Sequence, residues 1–257
     1  MEMVLFEVKE RIGYITLNRP DKRNALSHEL VAALKSAFKL AENDSSVKVI
    51  VLQANGEVFC AGADLAYLQQ LQKFSLEENL ADSNHLKELL LNIYQLKKVV
   101  IAKVQGHALA GGCGLASVCD FVFTVPEAKF GYTEVKIGFI PAMVLVFLIR
   151  KIGEKRAKHL LLSGELVQGD EAMNFGLINY LVKKNNLNNT VTEFAQKLIK
   201  NNSAQSMALT KQMIDQVQSM TLTDALDYAA KMNAEARASD DCKKGINAFL
   251  KKQDLTW

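Results

Sequence analysis

An α/β fold with a helical C-terminal part is the expectation from this sequence, and three observations carry it. Apolar, β-branched segments at 47–53, 99–104 and 121–125 alternate with stretches patterned as helix, which is how a layered core on a parallel sheet reads. Only 3 prolines and 14 glycines punctuate 257 residues, too few for the many turns of an all-β chain. From residue 190 onward Ala, Leu, Met, Lys and Gln recur at helical spacing without strand alternation.

Val4–Val8 and Tyr14–Leu17 alternate around Arg11-Ile12-Gly13, a β-hairpin that Asn18-Arg19-Pro20 ends. Ser27 is placed as an N-cap, with Glu29 in the first turn and Leu30, Leu34, Ala37, Phe38 and Ala41 at helical spacing, which predicts an amphipathic helix over 27–42. The strand at 47–53 is followed by a helical stretch around 84–96 and the strand at 99–104. A short glycine-led stretch over 111–118 then precedes the strand at 121–125. Helical segments at 143–162 and 169–175 lead to a last strand at 177–182, and helices at 190–201, 204–218, 222–238 and 240–252 close the chain. No low-complexity linker interrupts the pattern. The expected organisation is therefore a core over 1–190 and a helical region over 191–257 that packs on the core or on a neighbouring subunit.

Hydrophobic residues make up 49% and charged residues 23%, which excludes disordered, collagenous and disulfide-scaffold classes. The net charge of +3 leaves no strong electrostatic footprint for nucleic acid or an anionic membrane. Cys60, Cys113, Cys119 and Cys242 show no Cys-x-x-Cys spacing and no signal-like N-terminus accompanies them, so they read as reduced thiols of a cytoplasmic protein. The longest apolar run, Ala142–Ile149, falls far short of the roughly 20 residues a membrane-spanning helix needs.

The histidines at 28, 85, 107 and 159 are scattered, with no His-Glu-x-x-His, so no metal site is expected. Neither a Gly-x-Ser-x-Gly elbow nor a phosphate-binding Gly-x-x-x-x-Gly-Lys-Ser/Thr loop is present. Gly112-x-Gly114-x-x-Ser117, with Glu134 twenty residues past Gly114, mimics a dinucleotide fingerprint. Gly106–Ala110 intervene between the strand and its first glycine, which leaves a nicotinamide-binding enzyme as a distant alternative.

Two glycine-centred segments stand where strands end: Phe59-Cys60-Ala61-Gly62-Ala63-Asp64-Leu65 and Gly106-His107-Ala108-Leu109-Ala110-Gly111-Gly112-Cys113-Gly114-Leu115. Small residues there let a ligand approach the backbone, and amides at a helix start offer donors with a positive dipole end. Two converging amides would form an oxyanion hole.

These segments, with Leu17-Asn18-Arg19-Pro20, Asn24-Ala25-Leu26, Ile101–Asp120, Phe130-Gly131-Tyr132-Thr133-Glu134 and Gly245–Lys252, resemble the crotonase, or enoyl-CoA hydratase/isomerase, family over almost the whole chain. The resemblance implies a ββα spiral core with a helical C-terminal region, assembly as trimers or hexamers, an acyl-CoA thioester substrate, and no cofactor beyond the coenzyme A that the substrate itself carries. It also implies that the amides of Ala63 and Gly111 hold the thioester oxygen as it becomes an enolate. Ala61, Asp64, Leu65, Gly112 and Gly114 are the expected substrate contacts around them, and the variable segment 65–82 would form much of the acyl pocket.

Hydratases of the family use two glutamates. By motif the first falls on Gly114 and is absent here, whereas the second is retained as Glu134. A carboxylate near apolar Phe130, Val135 and Ile137 is expected to have a raised pKa suited to acid/base work. Thr133–Ala142 is similar to bacterial methylglutaconyl-CoA hydratases, some of which carry glycine at that first position. These relatives also lack the glycine-rich stretch after the proline, which here is Ala142-Met143-Val144-Leu145. The expected activity is hydration of a short, branched 2-enoyl-CoA, with a Δ3,Δ2-enoyl-CoA isomerase as the alternative. Lys22 or Arg23 is expected at the CoA phosphates, and Phe249 with Lys252 at a neighbouring subunit's CoA. His107, Cys113 and Tyr132 read as packing residues. Lys151, Lys155, Arg156 and Lys158 are the densest basic cluster, but no aromatic residues are interleaved with them, so an RNA-binding relative is a distant alternative.

Overall fold

The computed structural model describes residues 2–257. β1 (Val4–Lys9) and β2 (Ile12–Leu17) form the expected hairpin. Its turn is only Glu10 and Arg11, with φ of 48° and 66°, the paired positive φ of a two-residue turn whose twist matches the strands. The second strand therefore resumes at Ile12, two residues earlier than the sequence suggests.

α1 (His28–Asn43) starts at Ser27, whose hydroxyl accepts from the Leu30 amide, and leads to β3 (Val49–Ala54). Two helices follow where one is predicted, α2 (Leu65–Leu71) and α3 (Leu76–Gln95). α3 begins eight residues before the expected 84 because Ser75 and Glu78 close a reciprocal capping box. Next come β4 (Val99–Val104), β5 (Ala108–Leu109), α4 (Gly111–Ser117), β6 (Phe121–Thr124) and β7 (Lys129–Gly131). The helical segment expected over 143–162 is α5 (Ala142–Ile152) and α6 (Glu154–Ser163), divided at Gly153, whose φ of 77° no helix allows. β8 (Leu166–Gln168), α7 (Gly169–Asn174) and β9 (Tyr180–Leu181) precede α8 (Leu187–Asn201), α9 (Ala204–Val217), α10 (Leu222–Ala238) and α11 (Asp240–Leu250).

The strands make two sheets, one of six in the order β1-β2-β3-β4-β6-β9 and one of three in the order β5-β7-β8. In the larger sheet only β1 is antiparallel. The chain winds as a spiral in which β3, β4 and β6 enter the large sheet. The segments that follow them, Cys60, β5 and β7, enter the small one, Cys60 through a bridge to Ala108. The fold is thus the spiral α/β architecture implied by the resemblance. The small sheet is invisible to periodicity because strands of two or three residues have no alternation to read.

α8 lays Leu187, Val191, Ala195 and Ile199 into the core, whereas α9, α10 and α11 bury no residue. Four helix ends are satisfied from a distance. Lys48 donates to Ile199 O of α8 (2.7 Å), Lys98 to Ala41 O of α1 (2.8 Å) and Lys151 to Ser117 O of α4 (2.8 Å). Lys211 reaches Ile93 O of α3 and pairs with Asp120 at 2.7 Å. A cation at the last carbonyls of a helix answers both their unpaired lone pairs and the negative dipole end. Lys151, half-buried in that role, is thereby separated from the exposed Lys155, Arg156 and Lys158, and the basic cluster forms no single face. No helix among the described residues is long and apolar enough to cross a membrane.

Candidate active site

The two glycine-centred segments lie backbone against backbone. Leu109 N donates to Cys60 O (3.0 Å), and Phe59 N and Cys60 N both donate to His107 O. A Cβ added to Gly112 would sit 2.3 Å from Cys60 O, and one added to Gly62 would sit 3.7 Å from Gly111 N. Only glycine at 112 permits this approach.

Both expected amides are left free by this arrangement. Leu26 forms a parallel bridge with Ala63, taking Gly62 O and giving its own carbonyl to Asp64 N at 2.8 Å. That pattern turns the N–H of Ala63 away from Leu26. Gly111 is the first residue of α4, where an amide has no intrahelical acceptor. Neither amide has a hydrogen-bond partner among the described residues. Ala63 is exposed and Gly111 half-buried, whereas Gly112 and Gly114 are buried and contribute spacing. Ala110, just before α4, holds φ 51° and ψ −125°, a conformation costly for a residue with a Cβ and maintained by its amide's bond to Gly131 O at 2.7 Å.

The Ala61–Leu65 segment is clamped from the N-terminal side. Ala61 N donates to Arg23 O (3.0 Å), which brings the exposed Lys22 and Arg23 beside it. The Asp64 carboxylate caps α2 through Ala66 N and Tyr67 N and pairs with Arg19 at 3.2 Å, so its oxygens are engaged by the protein itself. Leu65 is 78% exposed at the start of α2. Arg19 and the wholly buried Asn24, which donates to Asn55 O and Val58 O, are positioning residues that motif reading noticed only as pattern. In residue order the only sign of either is the pair of motifs Leu17-Asn18-Arg19-Pro20 and Asn24-Ala25-Leu26.

Glu134 opens a 3-10 turn, Glu134–Ile137, directly after β7 and Tyr132-Thr133. Its carbonyl accepts from Phe139 N at 3.0 Å. One carboxylate oxygen, Oε2, is buried with no hydrogen-bond partner among the described residues. Burial raises its pKa, and the bond from its own backbone lowers it by less. A carboxylate so held changes protonation nearer neutrality than an exposed one, as proton transfer to carbon requires.

Gly114 faces α5. A Cβ there would lie 2.0 Å from Val144 Cγ1 and 2.9 Å from Val144 Cβ, so the space a side chain at 114 needs is filled. Gly114→Ala should lower stability by about 1–3 kcal/mol through overpacking. Adding Val144→Ala should recover part of that loss, measured as a double-mutant cycle in urea. Additive losses would show that the two positions do not compete for space.

Phe249 is 83% exposed on α11, and Lys252 is exposed just beyond it. α11 is held by α10 and by Ser203, which bonds Asp241. Cys113 is buried, with its thiol pushed up to about 11, which suits packing rather than nucleophilic work. His107 accepts from Lys129 N at 3.1 Å.

The model of the enoyl-CoA hydratase/isomerase family matches residues 7–257. A Thermus thermophilus protein with a provisional enoyl-CoA hydratase name is 41% identical over 245 residues, 95% of this chain and 96% of that one. The crotonyl-CoA hydratase of Syntrophomonas wolfei is 31% identical over 254 residues, 98% of this chain and 96% of that one. The crystal structure of an enoyl-CoA hydratase from Mycobacterium smegmatis superimposes with a TM-score of 0.94 at 31% identity, covering 100% of this chain and 99% of that one. Spiral fold, paired free amides and match over nearly the full length together show that the chain belongs to the enoyl-CoA hydratase/isomerase family.

Proposed function

We propose that the protein is an enoyl-CoA hydratase acting on a short, branched 2-enoyl-CoA of the 3-methylglutaconyl-CoA kind. The observation that carries this reading is the buried, unpaired carboxylate oxygen of Glu134 in a chain that also holds the Ala63 and Gly111 amides free. The amides donate to the thioester oxygen as it gains charge, and fixed donors in a dry site stabilise that charge without reorganising. Glu134 takes a proton from water as its oxygen bonds to C3, and gives a proton to C2, so that one water is added across the double bond. The similarity to a crotonyl-CoA hydratase supports a short acyl chain.

One observation favours a second reading, a Δ3,Δ2-enoyl-CoA isomerase. With Val144 in the space next to Gly114, a single carboxylate serves the site, and one carboxylate suffices to move a proton between C2 and C4. The absorbance of the conjugated thioester separates the two. Loss of absorbance with 3-methylglutaconyl-CoA is the expected result, and crotonyl-CoA tests chain-length tolerance. A gain with a 3-enoyl-CoA alone would replace the hydratase by the isomerase, and silence on all three would sink both.

Lys22 and Arg23, exposed beside Ala61, are assigned to the CoA phosphates. The apolar residues left exposed on α10 and α11, Leu222, Leu226, Ile246, Phe249 and Leu250, support burial of this region in a trimer, with Phe249 and Lys252 reaching the next subunit's CoA. A monomeric mass in light scattering would overturn that assignment.

A further inference from the structure

From Ala63 to Glu88 no residue is buried. The span holds all of α2 and α3 as far as Glu88, and the buried residues of α3, Leu89, Leu90 and Ile93, come only after it. With so little packing to fix it, α2 depends on polar contacts for its place. Its N-terminus is secured at Asp64, which caps the helix and pairs with Arg19. Beyond that turn a single side chain of α2 makes a hydrogen bond among the described residues: the Tyr67 hydroxyl donates to the Asp82 carboxylate of α3.

Asp82 is itself tied towards the core. His28 Nδ1 of α1 lies 3.7 Å from its carboxylate, and the His28 ring stacks on that of His85 with centroids 4.2 Å apart. His85 Nε2 donates to His28 O at 3.2 Å, while Lys35 of α1 donates to His85 Nδ1 at 3.3 Å and to Glu88 at 2.6 Å. α1 in turn sets Leu30, Leu34 and Phe38 into the core. Polar contacts thus run from α1 through α3 to Tyr67. A cavity of about 430 Å³, lined by His28, Tyr67, Phe74, Asp82 and His85 among others, opens beside them, so the Tyr67–Asp82 bond is a tether across a gap and not part of a packed seam.

α2 starts at Leu65, just past the exposed Ala63 with its free amide. A thioester oxygen on that amide brings the carbons attached to it against the first turn of α2, where Leu65 is 78% exposed. We propose that Tyr67 and Asp82 are positioning residues, whose hydrogen bond latches α2 in place as the wall on which the acyl group of the substrate packs. The inference rests on the reading of Ala63 as an oxyanion donor. The latch serves acyl binding and not proton transfer, because Ala63 is held by its bridge to Leu26, and Gly111 and Glu134 stand on other elements.

The test compares Tyr67→Phe, Asp82→Ala, Asp82→Asn and the double variant Tyr67→Phe/Asp82→Ala by calorimetric binding of butyryl-CoA and of free CoA, and by hydrogen exchange of the amides of 65–72. Neither measurement needs turnover, so its failure and a failure of the hydratase assay are separate results. Tyr67→Phe and Asp82→Ala should each weaken butyryl-CoA by about tenfold, the effect of losing one hydrogen bond to a charged group, and leave free CoA binding as in the parent. Exchange over 65–72 should quicken by a similar factor. The double variant should bind no more weakly than either single one, since both remove the same bond. Asp82→Asn, whose side-chain carbonyl still accepts from the phenol, should stay within about threefold of the parent. For a substrate that is turned over, KM should rise while kcat stays within about twofold. Unaltered exchange in Tyr67→Phe would show that no latch exists. Faster exchange with parental butyryl-CoA binding would show a latch that serves no acyl group, and equal weakening of free CoA would place the effect elsewhere in the ligand. A parent that binds butyryl-CoA no more tightly than free CoA would have no acyl wall. Each of these results overturns the inference.

Discussion

Glu134→Gln should lower kcat by about 10²–10⁴-fold, the range that a positioned acid/base group contributes, while leaving the fold as stable or more so. The two effects have one cause. Oε2 is buried without a partner, so the charged form is disfavoured and the carboxyl's pKa in the folded protein lies above its unfolded value. A group raised in this way binds its proton more tightly in the folded state. It therefore penalises folding as pH rises through the window between the unfolded and folded values, and the penalty is complete above that window. Glutamine removes the charge and with it that penalty, so the melting temperature of the variant should match or exceed the parent's at neutral pH. The difference should vanish in acid, where the parent carboxyl is protonated. Catalysis follows the opposite preference: the parent's turnover should fall with acid at a higher pH than an exposed carboxylate would impose. Undiminished kcat in Glu134→Gln would show that another group moves the proton.

Gly112→Ala should cost turnover without touching any group that handles protons. The new methyl would lie 2.3 Å from Cys60 O and 2.7 Å from Cys60 Cβ. The first is main chain, so no side-chain rotation relieves the overlap and α4 must shift from the segment carrying Ala63. The amides of Gly111 and Ala63 belong to these two segments. Displacement of one donor is expected to lower kcat by about 10²–10³-fold, as loss of one oxyanion-hole donor does elsewhere, and overpacking should lower the melting temperature. Under the proposed assignment of Lys22 and Arg23 to the CoA phosphates, binding of free CoA, measured by calorimetry, should be retained, because neither residue takes part in the Gly112–Cys60 contact. Parental kcat would mean that the amide pair tolerates the shift and is not the oxyanion hole.

Much of this protein is legible in residue order alone. The hairpin, α1 with its Ser27 cap, the parallel strands β3, β4 and β6, and α8 follow from local periodicity, because each needs only its own residues to declare a buried face, and α9, α10 and α11 follow from their helix-forming composition although they bury no residue. The motif segments are legible for the same reason. Small residues at strand ends announce a backbone approach, and the carboxylate among apolar neighbours announces a raised pKa. The departures at Gly114 and at Ala142–Leu145 are also visible as departures.

What residue order does not contain is which distant atoms meet. The small sheet of β5, β7 and β8 exists only through pairing, since its strands are too short to have a period. The lysine caps on α1, α3, α4 and α8 come from elsewhere in the chain. The Asp64 carboxylate is engaged by Arg19 and by the start of α2. Above all, Gly114 and Val144 read in sequence as two unrelated irregularities, and in the folded chain they are one contact in which the valine fills the volume the glycine vacates. Local propensity is a property of neighbours in the chain. Volume, charge pairing and the desolvation of Glu134 are properties of neighbours in space, and close packing settles them only when the core closes.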